Sequence, residues 1–453
     1  MELISQSSSL SPSSRRQFLA ASGKVAAASA LASAAVPRCH AAESNTIKLA
    51  LVGCGNRGSG AVGNAFACSG GPVKLHAMAD IFENRLKVSH DRLKKEFGEK
   101  VDVSSDRRFI GFDAYKHAID CLGPGDIVLL TTHAAFRPVH FEYAVRKGVN
   151  VFMEKSFAVD SPAARRMLNS VAESEKKNLK VAAGFMWRHS RGREEVIERI
   201  HNGAIGDVNM LRIYRVHGPG GHCGPLPEGE NELLFQLKHP LAFNWTCGGF
   251  FVDWHCHNVD VACWAKDAWP ISAQAMGGRC YASAANNFDH YTIEYTFADG
   301  AKLFAFSRHM ANCWQTYSDY AHGSRGSARI MAALGQPKPK IYKSQSMTDD
   351  QVTWEYLENE PNPYEVEWQL LLDAVRQDRP HNEGRRAVEA DLVAVMGRTA
   401  AHTGKMITWE ETLNSTFQYV ANIDEMTFDS PAPITAGPDG IYPCPLPGVT
   451  EER

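Results

Sequence analysis

Ile47-Lys48-Leu49-Ala50-Leu51-Val52-Gly53-Cys54-Gly55-Asn56-Arg57-Gly58 is the stretch that decides the fold class. Its first six residues form a short apolar run with strand character, and they lead without a spacer into GxGxxG. The segment from Gly60 to Cys68 is rich in Ala, Gly and Val, which suits a helix packed closely on a sheet. Strand, glycine turn and helix in that order read as a dinucleotide-binding unit. The first glycine permits the tight turn, the second keeps a Cβ out of the path of a pyrophosphate, and the third lets helix and strand approach. The unpaired N–H groups at the start of the helix complete an anion site.

A second run, Val73 to Ala79, ends at Asp80, 22 residues beyond Gly58. A carboxylate there accepts hydrogen bonds from the adenosine ribose hydroxyls and repels a 2′-phosphate, so NAD is expected in preference to NADP. A glycine-rich turn with a merely capping Asp would explain less of the unit. Gly53, Gly55, Asn56, Arg57, Gly58 and Asp80 are the first candidate cofactor residues. Further on, Asp126 to Thr132 reads as a buried strand, Arg137 to Lys147 as the next helix, and Val149 to Met153 as a strand ending in Glu154-Lys155. Such alternation implies right-handed parallel βαβ units with ligands at the carboxyl ends of the strands. Thr131, Thr132, Glu154 and Lys155 join the cofactor side on that ground.

Composition agrees with a soluble globular chain. Its 453 residues are 44% hydrophobic and 22% charged, which excludes fibrous, collagen-like and wholly disordered classes and allows two or three domains. Lys plus Arg (48) and Asp plus Glu (51) nearly cancel, so no nucleic-acid partner is expected. The eleven cysteines contain no CxxC pair and carry no disulfide framework in their spacing.

Ahead of the dinucleotide unit, Ser14-Arg15-Arg16-Gln17-Phe18-Leu19 and the Ala/Ser-rich stretch from Ala20 to Val36 resemble a twin-arginine export signal. The stretch is too weakly apolar, and broken by Lys24, for a membrane span. Small residues at Ala41 and Ala42 offer a cleavage site. Residues 1–42 are therefore expected to be a signal peptide that delivers the folded chain to the bacterial periplasm, with the export machinery as a partner.

Several further segments resemble the glucose–fructose oxidoreductase / inositol dehydrogenase / MocA family. They are the early GxGxxG, Glu154-Lys155, Gly184-Phe185-Met186-Trp187-Arg188, and Gly248-Gly249-Phe250-Phe251-Val252-Asp253-Trp254-His255-Cys256-His257-Asn258-Val259-Asp260. The tail from Asn362 to Trp409 looks like the exported branch of that family. The family's pattern at the lysine is Glu-Lys-Pro. Here Ser156 replaces the proline, which frees a backbone N–H and relaxes φ.

The resemblance implies a fold of α/β plus α+β type: a Rossmann dinucleotide-binding domain, here 43–185, and a C-terminal domain, 186–360, with a large open, mainly antiparallel β-sheet. Alternating apolar residues from Tyr291 to Phe306, with a turn at Ala298-Asp299-Gly300, support such a sheet. Helices over 361–430 would pack back on the cofactor domain, and 431–453 would be an extended tail able to wrap a neighbouring subunit of a homo-oligomer, dimer or tetramer. It also implies Lys155, Asp253 and His257 as catalytic residues: a histidine to take the hydroxyl proton, an aspartate to favour the resulting imidazolium, and a lysine to stabilise the alkoxide.

A helix over Gly248 to Trp264 would set Asp253, His257 and Asp260 on one face. A metal set of Asp253, His255, His257 and Asp260 competes, but two histidines in H-x-H diverge by roughly 200° on a helix. In isolation the block reads as amphipathic core; the dinucleotide unit and Lys155 reverse that order, and no metal is expected. Arg188, His217, His222 and Trp245 are candidate sugar contacts, although the loop from His217 to Asn231 reads equally well as a structural excursion.

An exported nicotinamide enzyme lacks a replenished cofactor pool, so tight retention of NAD is expected. The leading reading is an oxidoreductase acting on a hydroxyl of a sugar, glycoside or polyol. The alternative is a redox-neutral glycosidase or lyase working through a 3-keto intermediate, with His217 or His222 as the extra base. A binding sensor without turnover is the third class, and Lys155, Asp253 and His257 argue against it.

Overall fold

The computed structural model describes residues 45–332 and 338–452. The expected export signal and its cleavage site lie outside them. The described residues form one compact unit.

Its first sheet is built from β1 (Ile47–Val52), β2 (Val73–Asp80), β3 (Arg108–Ile110), β4 (Ile127–Leu130), β5 (Asn150–Met153) and β6 (Val181–Ala183). The helices between them are α1 (Asn56–Ala67), α2 (Glu83–Phe97), α3 (Ala114–Asp120), α4 (Arg137–Lys147) and α5 (Ser161–Lys176). All strands are parallel, in the order β3-β2-β1-β4-β5-β6, so the winding reverses between β1 and β4. β4 and β5 are buried along their whole length, as strands covered on both faces must be. In this arrangement ligands bind at the carboxyl ends beside the reversal. Gly53, Thr131 and Lys155 all follow such ends.

After α6 (Arg191–His201) the chain enters β7 (Val208–His217), then the short helices α7 (Glu232–Lys238) and α8 (Asn244–Cys247). A π-turn, Phe251–His255, runs directly into α9 (Cys256–Lys266). The remaining strands are β8 (Ser272–Gly278), β9 (His290–Thr296), β10 (Lys302–His309), β11 (Thr316–Gly323), β12 (Ser327–Ala332), β13 (Lys340–Tyr342), β14 (Val352–Glu355) and β15 (Ile407–Thr408). They form a nine-stranded sheet, β14-β13-β12-β11-β7-β10-β9-β8-β15, in which β7 and β10 pair in parallel and their other neighbours antiparallel. β9 and β10 alternate buried and half-buried residues, the signature of a sheet with one packed face. The packed face lies against α9, and against α11 (Gly384–Thr403).

Between them in sequence, α10 (Pro363–Arg376) packs back on α1. Its Trp368 is fully buried and stacks on Phe152 of β5 with ring centroids 4.3 Å apart. Truncating such a ring costs roughly 3–5 kcal/mol, so this helix is integral to the packing of the first sheet. The chain then makes α12 (Trp409–Asn414), opened by a capping box between Thr408 and Glu411.

The C-terminal tail packs on its own chain. Tyr442 is buried against Phe235 and Phe243, and Gln236 Nε2 donates to the Ile434 carbonyl. The buried Glu452 carboxylate accepts from His402 (2.8 Å) and Tyr419 (3.1 Å) and pairs with Arg398 (3.5 Å). All ten described cysteines are free.

Candidate functional site

The glycine turn after β1 shows why its three glycines differ. Gly53 has φ +96°, and a Cβ on it would lie 2.8 Å from the Thr131 backbone. A Cβ on Gly58 would meet the Gly53 carbonyl at 2.3 Å and Thr131 Oγ1 at 2.6 Å, so this glycine closes the helix onto the turn. Gly55 has nothing within 4 Å of its missing side chain. The open space is the observation that fits a pyrophosphate approaching the backbone. Gly55 also caps α1 without a side-chain hydrogen bond, and no acidic residue occupies the first turn formed by Asn56, Arg57 and Gly58. The N–H groups there are left for an anion.

Asp80 ends β2 beside this turn. Its carboxylate accepts from Cys54 N (2.6 Å) and Phe82 N (2.8 Å), which aims it across the cleft. Burial nevertheless raises its pKa above the usual carboxylate range. Thr131 Oγ1 donates to the Gly53 carbonyl (2.6 Å) and so braces the turn, while Thr132 Oγ1 lies 3.1 Å from His140 Nδ1. The Asp80 end of the cleft is lined by Gly53, Gly55, Asp80, Arg85, Tyr115 and Phe136, of which the last three carried no sequence signal.

Thr131, Thr132 and His133 are shared with a second cavity, which contains Arg57, Glu154, Lys155, Asp253, His257 and Tyr364. Arg57 pairs with Glu154 and lies over the Tyr364 ring, 4.4 Å from its centroid. Behind them the buried Glu367 carboxyl is held well above the usual range by burial and by the Glu154 charge. Tyr364 and Glu367 come from α10, more than 200 residues beyond Lys155, and only the fold brings them here.

Lys155 follows β5 in a loop fastened at two points. Asp391 of α11 accepts from the N–H groups of Phe157 and Ala158, and Ser156 Oγ donates to the Val252 carbonyl at 3.0 Å. The peptide between Lys155 and Ser156 is cis. Lys155 Nζ donates to Asp253 Oδ2 at 3.0 Å and also to the Asp253 carbonyl oxygen. Burial pulls the ammonium pKa down, but Asp253, Cys256 and Glu154 together outweigh it and the net shift is upward. His257 lies in the same cavity with Nδ1 buried and unpartnered, while Nε2 keeps solvent contact. Burial, and then the Lys155 charge, push its pKa well below 6.5. The imidazole is therefore neutral at ambient pH.

This changes the expected division of labour, because Asp253 is bonded to Lys155 and, among the described residues, no carboxylate pairs with His257. The reason is the π-turn: its i→i+5 winding alters the angular offset along Phe251–His255 and turns Asp253 towards β5. Asp260 leaves the site altogether. It is buried and pairs with Arg188 (2.8 Å) and Arg386 (3.2 Å). Arg188 is thus occupied in a structural ion cluster, and it too lies outside the cavity. With Asp253 on Lys155, Asp260 on Arg188 and Arg386, and His255 Nδ1 engaged by Ser307 Oγ, the competing metal set is not brought together among the described residues. Trp245 is fully buried and donates Nε1 to Gln236 at 2.6 Å, as a core residue. His217 stacks on Trp254 at 4.4 Å, and His222 lies 3.4 Å from the His309 carbonyl; neither lines the cavity that holds Lys155. Among the described residues, Cys280, Asp289 and His290 bring three possible ligand atoms within 4.8 Å of one another, a grouping the spacing did not single out.

No protein-family model matches the chain, and no curated protein sequence matches it. Solved structures do. Scyllo-inositol dehydrogenase from Lactobacillus casei, with bound NAD(H) and scyllo-inositol, is 18% identical with a TM-score of 0.59, over 81% of this chain and 99% of that one. Myo-inositol 2-dehydrogenase from Lactobacillus plantarum is 20% identical with a TM-score of 0.58, over 80% and 99%. Aldose-aldose oxidoreductase from Caulobacter crescentus, complexed with glycerol, is 17% identical with a TM-score of 0.57, over 80% and 99%. At such identities the likeness is one of fold.

Proposed function

We propose that this chain is a nicotinamide-dependent oxidoreductase of the glucose–fructose oxidoreductase / inositol dehydrogenase / MocA family, acting on a hydroxyl of a sugar, glycoside or polyol. One observation carries the reading: Lys155, held by Asp253, shares a cavity with a neutral His257, and that cavity is continuous with the Gly53-to-Asp80 cleft through Thr131–His133. Solved structures of the same fold that bind NAD(H) with an inositol, or glycerol, support the substrate class.

The first-turn N–H groups of α1 and the open face of Gly55 would hold the pyrophosphate, and Asp80 the adenosine ribose. NAD, when bound, supplies the hydride acceptor. The chain's own residues handle the proton. His257 Nε2 takes it from the substrate hydroxyl. Its basicity is weak beside Lys155, but the same ammonium makes the hydroxyl more acidic and stabilises the oxygen as it becomes negative. Asp253 holds that ammonium in place.

The chain is exported by the twin-arginine route in this reading and retains NAD through it. Mass analysis of the supernatant from heat-denatured protein, purified from periplasm, is expected to give NAD at close to one equivalent. Recovery of an apo protein that binds no dinucleotide when titrated would overturn the assignment. Changing Arg15-Arg16 to Lys-Lys is expected to hold the protein in the cytoplasm, and unchanged fractionation would remove export from the account.

A further inference from the structure

Opposite the π-turn and α9, the packed face of the nine-stranded sheet is interrupted by a polar row. Strand register sets Ser307, Arg215 and Tyr317 side by side on β10, β7 and β11, with His309 and His217 one step on and Asp319 one step back on the same face. Contacts from the catalytic segment reach this row: Trp254 stacks on His217, His255 engages Ser307, and Asn258 Nδ2 donates to Asp319 Oδ1 at 2.6 Å.

Two guanidinium groups here lack a carboxylate. Arg215 makes no hydrogen bond or ion pair among the described residues; it lies over the Tyr317 ring at 3.9 Å, its Nε is buried, and its terminal nitrogens keep solvent contact. Arg193 lies over the Trp187 ring at 3.8 Å, donates only to Ser190 Oγ (2.9 Å), and leaves a buried Nε unpartnered. The two rings are tied by a hydrogen bond from Trp187 Nε1 to Tyr317 Oη at 2.5 Å. Arg188, one residue beyond Trp187, shows the contrast, being fully paired with Asp260.

Removing a cation from water without a partner is costly, and stacking on a ring recovers only part of that cost. Asp319 balances the pair only in part: both arginine charges act on its carboxyl, against the larger effect of burial. It forms no ion pair with either arginine, its Oδ2 is unpartnered, and burial pushes its pKa up to about 7. Arg215 also lies 5.7 Å from the ring centroid of Trp254, the neighbour of Asp253, which sets it beside the catalytic segment.

We propose that Arg215, supported by Arg193, is an anion-recognising subsite, and that the preferred substrate is a sugar or polyol bearing an oxyanion such as a carboxylate or a sulfate or phosphate ester. A guanidinium fork matches the oxygens of such a group, and the unpaired state found here is what a partner supplied by the substrate would leave. The inference rests on the oxidoreductase reading for its reaction, but not for its binding test.

Equilibrium binding to the NAD-loaded protein would compare hexuronates, aldonates and hexose 6-sulfates and 6-phosphates with the neutral hexoses. Anionic probes are expected to bind about 10- to 100-fold more tightly, with carboxylate and ester arms identifying the group. Arg215→Gln should erase most of that preference, and Arg215→Lys should restore part of it, with dinucleotide affinity as the check on folding. Equal binding of acid and neutral probes, or an equal loss for both in Arg215→Gln, would overturn the subsite. Turnover of neutral sugars without preference would refute it while leaving the oxidoreductase intact. Preferential acid binding without nicotinamide reduction would support it and count against the oxidoreductase reading.

Discussion

Lys155 Nζ and Asp253 Oδ2 meet at 3.0 Å, joining the carboxyl end of β5 to the π-turn of the other sheet's helix. Both side chains are mostly buried, so each is the other's main neutralising partner. An ammonium held in this way stays charged and fixed, which electrostatic stabilisation of an alkoxide requires. Removing one partner leaves an unpaired buried charge. Lys155→Ala and Asp253→Asn are each expected to lower kcat about 10²–10⁴-fold, and the double variant by much less than the product, as a coupled pair demands. Steady-state kinetics on all three decide this, and multiplicative losses would show that the residues act separately.

His257 gives a pH prediction whose sign follows from its surroundings. The acceptor must be neutral, and its pKa lies well below 6.5 through burial and the nearby Lys155 charge. Activity is therefore expected to hold through pH 6.5 and to fall only well below it. In Lys155→Met the residual activity should have its acid limb moved to higher pH, because a repelling cation is gone. A pH profile of kcat/KM with an unmoved inflection at 6.5 in both proteins would speak against His257.

The glycine turn separates folding from binding. Gly58→Ala forces a Cβ onto the Gly53 carbonyl and Thr131, which should cost about 1–3 kcal/mol of stability. Gly55→Ala meets nothing within 4 Å and has an ordinary φ of −76°, so its melting temperature should hardly change. Its affinity for NAD should nevertheless fall at least about 10-fold, because the added methyl occupies the pyrophosphate path. Thermal melts with and without dinucleotide distinguish the two variants.

Glu452 ties the tail to α11. His402 and Arg398 hold its carboxyl down to about 2, despite burial. A folded-state pKa below the unfolded one means stability that is present above about 4.5 and lost as pH falls from there towards 2. Glu452→Gln should destabilise the protein by about 3–5 kcal/mol at neutral pH, as breaking a buried pair does, and the gap to wild type should close in acid. Denaturant unfolding at several pH values measures it.

The dinucleotide unit was legible because its requirements are local: Ile47 to Gly58 contains strand, turn and helix start, and Asp80 ends the adjacent strand. Lys155 was legible as the residue after a buried run. The role of Asp253 was not, since helical spacing assumes 3.6 residues per turn and a π-turn breaks that assumption without a composition signal. Arg188 and Trp245 looked available in sequence, but their partners, Asp260, Arg386 and Gln236, are brought to them only by folding. The packing of the tail on its own chain was likewise not legible, because the partners of its anchors, Tyr442 and Glu452, are scattered over the chain.

The most direct test of the oxidoreductase account is the appearance of reduced nicotinamide when NAD-loaded protein is mixed with a panel of neutral and anionic sugars and polyols. The account predicts reduction with at least one of them and its loss in Lys155→Ala at unchanged dinucleotide occupancy. Reduction that survives in Lys155→Ala at the wild-type rate, or a fully loaded enzyme that reduces no nicotinamide with any of them, would contradict it.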